Sequence, residues 1–344
     1  MFQIIKQDTR FPFVAKRRIA YAFSLFLIGA SLISLIVHGG PRYGVEFAGG
    51  TEALIKFDGN VPIEKVKEAL QAAGIAGASA QQYGKESADL YRILIAGDQA
   101  QSADLAKRLQ EGLSMGTGAK ASVESFEMVG PQVGETLREK AMLAIFFTML
   151  MITIYISGRF ELKWTVSGIT ALMLGLVVYV LMVIGLNIPI VTIVALVVSL
   201  ILFWYLNLKY AMGAIVALLH DVIITVGIFS LLDKQFTLTV IAALLTIIGY
   251  SLNDTIIVFD RIRENLRKSQ KQPMAETINK SINETLSRTI LTAGGTLLMV
   301  MALLIWGGNT IQDFAFALLV GILVGTYSSI FVASPILLAW QKRK

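Results

Sequence analysis

Five residues in largely apolar surroundings have side chains that could do chemistry. They are His220 and Asp221 in "ALLHDVIITV", Asn253 and Asp254 in "GYSLNDTIIVFDRIRENLRK", and Arg288 in "SINETLSRTILT". Both acids fall in runs of Leu, Ile and Val suited to lipid. An intramembrane carboxylate is costly there, and it characteristically faces a bundle interior and marks an ion or proton path. Burial favours the neutral form of such an acid, and a nearby cation favours the charged form. Asp254 therefore reads as a group able to exchange a proton, with Arg288, at the entrance of the following helix, as its natural cation. Asn253 stands beside it in the same motif. The alternative for this pair is capping or hydrogen bonding between neighbouring helices. Asp221 is a second candidate for proton coupling, with a packing alternative of its own, because adjacent His220 can satisfy it locally.

Other chemistries fit poorly. The two acids lack the glycine-flanked contexts an intramembrane aspartyl protease would need. No HExxH occurs, and the only histidines are His38 and His220. With no cysteine in the chain there is no disulfide, thiolate metal site or Cys nucleophile. Neither enzymatic activity nor a cofactor or metal is expected. "YGVEFAGGT" (43–51) carries a glycine pair suited to a tight turn or bulge. It is not a phosphate loop, since no helix begins after it and no Lys-Ser/Thr follows.

The elements that hold these residues must be membrane helices. Of 344 residues 55% are hydrophobic and only 16% charged, with mean hydropathy +0.67, too apolar for a soluble domain. The net charge of +6 could suggest nucleic acid, but the Lys and Arg sit at helix ends and in short connections, as expected for positive-inside orientation in a lipid bilayer. No nucleic-acid partner is expected. Residues 19–37 follow Lys16, Arg17 and Arg18, are long enough to span, and are not followed by a small-residue cleavage pattern, so they read as an uncleaved first helix after a cytoplasmic N-terminus (1–18). Seven further spans are expected at about 141–157, 166–185, 189–206, 211–232, 236–259, 288–306 and 313–338, within a transmembrane bundle covering 141–340. Every strongly basic connection then falls on one side, with both termini cytoplasmic. The cluster "DRIRENLRK" (260–268) serves as a positive-inside anchor and is a candidate contact for a cytoplasmic partner. The small residues of "TAGGT" (292–296) and "GTYSSI" (325–330) fit close helix packing, with the lining of a pathway as the alternative.

Between about 41 and 140 the composition is that of a soluble domain, expected in the periplasm. "TEALIKF" (51–57), "SAQQYG" (79–84), "LYRILIA" (90–96) and "ASVESFEMVG" (121–130) alternate like strands. "PIEKVKEALQAAG" (62–74) and "SADLAKRLQEGL" (102–113) are amphipathic helices. The order β-α-β-β-α-β predicts a ferredoxin-like α+β domain, a fold that implies no particular function. Shifting the sequence by 46 residues aligns "ELKWTVSGITALMLG" (161–175) with "NLKYAMGAIVALLHD" (207–221), as a duplicated helix pair would. Where the second copy has His220-Asp221 the first has Leu174-Gly175, so the first has no acid.

At these residues the chain resembles the SecF family, the smaller membrane subunits of the SecDF protein-export complex within the resistance-nodulation-division superfamily. The resemblance rests on "YGVEFAGGT", "VGPQVGETLREKA" (129–141), "ALLHD" (217–221), "IGYSLNDTIIVFDRIREN" (248–265), "SINETLSRTILT" (281–292) and "FAFALLVGILVGTYSSIFVASPILL" (314–338). It implies a six-span subunit of the bacterial inner membrane with a ferredoxin-like periplasmic domain, paired with SecD and the SecYEG channel. Such a subunit uses the proton-motive force to assist late movement of a translocating preprotein. It also implies that Asp254 is the functional acid and Arg288 its basic partner. Glu46 stands where the family has Asp. Residues 162–207 form an extra helix pair, expected at the periphery, that raises six spans to eight. Two rival readings are a non-transporting scaffold for the channel and a small-molecule or lipid exporter of the same superfamily. The second sits badly with a single domain of about 100 residues.

Overall fold

The computed structural model describes residues 10–75, 77–83, 89–95, 104–268 and 272–341. The ends of several expected elements, including residues 84, 96, 102–103 and the last three of "QKRK", lie outside the described residues. The chain divides into two compact units: one of residues 1–42, 141–234 and 239–344, the other of 43–140 with 235–238.

The smaller unit begins with a one-turn helix, α2 (Val45–Ala48), that follows α1 (Arg17–Val37) in the chain. Then come β1 (Gly50–Phe57), α3 (Ile63–Ala72), β2 (Ala78–Gln82), β3 (Leu90–Ile95), α4 (Leu105–Thr117) and β4 (Ala121–Val129). The sheet is fully antiparallel in the order β2-β3-β1-β4, the split β-α-β arrangement. Alternation buries Ala53, Ile55 and Phe57 of β1 and Tyr91, Ile93 and Ile95 of β3 against Val66 and Leu70 of α3 and Leu105, Leu109 and Leu113 of α4. Missing from the sequence reading is α2. It ends at Gly49, whose φ of +74° suits glycine, and a Cβ there would come within 2.7 Å of Pro131 Cα.

The larger unit contains α1 and the helices α5 (Pro131–Glu161, from residue 141 on), α6 (Trp164–Val183), α7 (Ile188–Tyr205), α8 (Lys209–Leu231), α9 (Leu238–Lys268, from 239 on), α10 (Met274–Trp306) and α11 (Asn309–Ser328). The last helix continues through a π turn (Ser329–Ala333) into α12 (Ser334–Gln341). Among the described residues eight helices are long and apolar enough to cross a membrane. Two expectations need correction. The α10 helix starts at Met274 after Pro273, so Arg288 lies well inside it rather than at its entrance. The connection expected at 307–313 shrinks to Gly307–Gly308, because α11 begins at Asn309.

The additional pair, α6 and α7, packs on the outer side of α5, where Phe146 and Leu150 meet Leu174, Val178, Val191 and Ala195. The opposite side of α5 joins the core: Phe160 stacks on Tyr210 at 5.2 Å, and both rings meet Phe259. The apolar stretch of either added helix is 22% buried, as in α1 and slightly more than the 17% of α10, and α7 also packs on α8 through Phe203. The two ends of the pair meet. The Glu161 carboxylate accepts the Tyr210 backbone N–H at 2.9 Å, in the first turn of α8, and Lys163 Nζ donates to the Leu206 carbonyl at 3.2 Å. Leu162 and Asn207, two of three described non-glycine residues with positive φ, flank the insertion at +55° and +57°. Excising 162–207 removes both strained residues and rejoins chain ends already side by side. The excised protein is expected to reach normal membrane abundance and retain appreciable export. Complete loss of export at normal abundance and normal partner association would show that the pair is functional.

Candidate functional site

Asp221 is the centre of a buried polar network on α8. It is 1% exposed, and three donors converge on it: His220 Nδ1 at 3.0 Å to Oδ1, and the hydroxyls of Ser251 at 2.6 Å and Ser328 at 2.9 Å to Oδ2. With Nδ1–H donating, His220 Nε2 is left to accept the Ser24 hydroxyl of α1 at 3.0 Å. Ser24 also touches Tyr327 Oη, which donates to the Ala20 carbonyl at 2.7 Å, and the Tyr327 ring stacks on His220. Four helices thus converge on one acid. Gly325 makes the approach possible, since a Cβ there would stand 2.9 Å from the Ser251 Cβ and 3.4 Å from Asp221 Oδ2.

The π turn completes this centre. Pro335 has no N–H to give the Phe331 carbonyl and its ring crowds that turn, a recognised cause of helix irregularity. The Ser334 hydroxyl bonds back to the Ser329 carbonyl at 2.8 Å. Ser329 in turn meets the Thr255 hydroxyl at 2.9 Å, and the Ala333 carbonyl lies where a side chain on Gly213 would have to go.

Asp254 is the opposite case. It is equally buried, at 1% exposed, yet both carboxylate oxygens lack a hydrogen-bond partner, and so does the buried hydroxyl of Thr289 on α10. Arg288 forms no ion pair or hydrogen bond with Asp254 among the described residues. The Arg288 side chain is exposed at the surface of this chain, and so is Asn253. Leaving a buried carboxyl unpartnered costs about 1–3 kcal/mol or more. Structures tolerate such a cost mainly at functional positions. The four candidates therefore separate: Asp254 is buried and unpartnered, Arg288 and Asn253 are exposed, and Asp221 belongs to a satisfied cluster whose α9 member, Ser251, lies one turn from Asp254 on the same helix face.

The basic cluster of α9 is largely paired within the chain. Asp260 meets Arg159 at 2.6 Å, Arg261 meets Glu284 at 2.6 Å and Glu264 at 2.7 Å, and Lys268 meets Glu264 at 2.6 Å. Sequence reasoning also missed the roles of Asn279 and Asn283. Their amides hold the backbone of the segment before α1, with both donating to the Phe11 carbonyl at 3.0 Å and accepting from the Val14 and Phe11 N–H groups. In the smaller unit the "YGVEFAGGT" segment meets "VGPQVGE": the Gly134 Cα packs so closely on Phe47 and Gly49 that a Cβ would lie 3.0 Å from their backbone. Burial, with Glu127 and Glu52 nearby, raises the pKa of Glu46, while the Leu238 backbone N–H opposes the shift.

Among the described residues, eight helices long and apolar enough to cross a membrane, with two buried acids among them, define a polytopic membrane protein whose chain also contains one split β-α-β domain. Comparison makes this specific. The family model "Protein export membrane protein SecD/SecF, C-terminal" matches twice, over residues 110–202 and 190–343, and the "SecD/SecF GG Motif" matches residues 34–61. The protein translocase subunit SecF of Vibrio alginolyticus is 39% identical over 98% of this chain and 92% of its own length, and that of Desulfurispirillum indicum 40% identical over 96% and 92%. The crystal structure of SecDF from Thermus thermophilus, a translocon-associated membrane protein, superimposes with a TM-score of 0.71 at 32% identity and covers 99% of this chain. This chain spans about two fifths (40%) of that longer one. The chain belongs to the SecD/SecF family of protein-export membrane proteins, as a SecF-type member.

Proposed function

We propose that this protein is the SecF-type half of an inner-membrane complex that uses the proton-motive force to assist late export of preproteins through the SecYEG channel, working with a SecD partner. The observation that carries this reading is the buried, unpartnered carboxylate of Asp254. An acid held this way can change its protonation without first breaking a network, whereas Asp221 cannot. Asp254 is then the proton-responsive group, and Arg288 biases it toward the charged form. One charge crossing 100 mV gains about 2.3 kcal/mol, enough to shift a two-state equilibrium by tens of fold but not to drive a whole translocation in one stroke. The similarity to SecDF, in which both halves form one chain, supports a SecD-like partner. The basic helix ends (Arg17, Arg18, Arg159, Lys163, Lys209 and the α9 cluster) support cytoplasmic termini and a periplasmic smaller unit.

Purification of the chain at native abundance from its own membranes is expected to bring down a SecD-like chain and channel subunits. Recovery of the chain alone, in a detergent that keeps the channel intact, would contradict the assignment to an export complex.

A further inference from the structure

The two edges of the sheet in the smaller unit are built differently. The β4 edge carries exposed Glu124 and Glu127 and pairs with β1 through an irregular step at Leu54 and Ile55, features that discourage a further strand. The β2 edge, "ASAQQ", has neither: it is uncharged, free of proline and in unbroken register with β3. That register decides where its backbone points. The Tyr83 N–H donates to the Leu90 carbonyl at 2.8 Å, so the opposed pairs Gln81–Arg92 and Ser79–Leu94, two and four residues back, are the hydrogen-bonded ones. The N–H and C=O groups of Ala78, Ala80 and Gln82 therefore point away from β3, and among the described residues nothing pairs them. Beside this edge, between β2 and α3, lies a cleft of about 530 Å³. Its floor holds the buried Leu70, Ile75 and Ala80, and its rim the exposed Lys67 and Gln71. A strand added to β2 at the usual spacing would set every second side chain over this cleft.

We propose that β2 is a strand-addition site that takes an extended stretch of the polypeptide in transit and holds it through its main chain. A chain crossing a membrane is unfolded, so its own N–H and C=O groups are unpaired, and this edge offers them partners that every sequence can use. The apolar floor and the single charge of the rim select an extended conformation rather than a sequence. The inference rests on the export reading, and the test separates the two. Because the chain contains no cysteine, Gln71→Cys on the cleft rim and Met115→Cys on α4, 83% exposed, can be joined by a bifunctional maleimide, in the intact complex, to a preprotein stalled during export that carries one cysteine in an unfolded stretch. Position 71 is expected to cross-link severalfold more than position 115. Gln82→Pro removes one outward N–H and leaves the β2–β3 ladder whole. In the Gln71→Cys background it is expected to lower the cross-link about fivefold or more at unchanged membrane abundance, the effect of one ordinary hydrogen bond together with the obstructing ring. Gln82→Ala keeps the N–H and is expected to match the parent. Equal cross-linking at 71 and 115, or equal loss in both Gln82 variants, would overturn the proposal. A cross-link from position 71 to the SecD-like partner that persists undiminished while the preprotein is stalled would assign the edge to that partner and equally overturn it. A fluorescent Thr-Val repeat peptide with terminal lysines, titrated into the purified chain and scored per folded molecule, reads the edge without a channel. Wild type and Gln82→Ala are expected to bind it alike and Gln82→Pro severalfold more weakly, and equal binding by all three would contradict the proposal. Peptide binding of the expected pattern by a chain that no channel subunit accompanies would instead refute the export reading and remove the preprotein as the occupant.

Discussion

Asp254→Asn is expected to assemble at wild-type abundance, keep its partner, and lose gradient-dependent export by an order of magnitude or more. Asparagine preserves the volume of the side chain and one acceptor oxygen but cannot titrate. No hydrogen bond within the chain is lost, because among the described residues the carboxylate has no partner. A purely structural acid in this position would tolerate the change, so the contrast between abundance and activity is diagnostic. The size of the effect follows from the roughly fiftyfold equilibrium bias that about 2.3 kcal/mol per proton supplies. Arg288→Met leaves the charged carboxylate without its counter-charge and should be nearly as damaging. Arg288→Lys should fall between, since it keeps the charge but not the planar fork. The measurement is late-stage preprotein export with and without an imposed proton gradient, beside the membrane abundance of each variant.

Asp221→Ala is expected to fail in the opposite way, by loss of abundance and heat stability. Truncation strands the His220 N–H and the hydroxyls of Ser251 and Ser328, all in the dry centre of the bundle. Each orphaned donor costs about 1–3 kcal/mol, so a total on the order of 3–5 kcal/mol is expected after partial relaxation. Asp221→Asn keeps one carbonyl acceptor and should lie between alanine and wild type in stability, with its residual export still gradient-dependent. The readouts are thermal unfolding in detergent and quantitative immunoblotting of membranes. Full stability of Asp221→Ala would show that the network does not hold the helices together. Normal assembly with gradient-independent export in Asp221→Asn would move Asp221 into the proton path.

How much of this was legible in sequence depended on whether the signal was local. The alternation in "TEALIKF" and "LYRILIA" and the amphipathic 3.6-residue rhythm of "IEKVKEALQA" are local, and they specified the strands and helices of the smaller unit. The eight apolar runs and the 46-residue repeat are local in the same sense. The burial of Asp254 was legible from its apolar run, but no ion pair or hydrogen bond joins it to Arg288, the cation that a charge in lipid led us to expect. Ser24, Ser251, Ser328 and Tyr327 were not legible, since hydroxyls are common in membrane helices and only their convergence on Asp221 sets them apart. The two glycine-rich motifs illustrate the limit most clearly. Gly295 and Gly325 sit in similar small-residue contexts, yet one faces space and the other a serine, because small size permits close approach without requiring it. Pro335, inside an apolar run, was an available signal for the helix irregularity, though not for a π turn in particular.

The most direct measurement is proton uptake into proteoliposomes holding the purified complex, recorded with an internal pH dye as a membrane potential is imposed. If Asp254 carries the proton, wild type takes up protons in response to the potential, Asp254→Asn falls to the level of protein-free vesicles, and Asp221→Asn, compared per folded molecule, resembles wild type. Uptake by Asp254→Asn at the wild-type rate would contradict the account at its centre, and collapse of uptake in Asp221→Asn alone would move the proton path to Asp221.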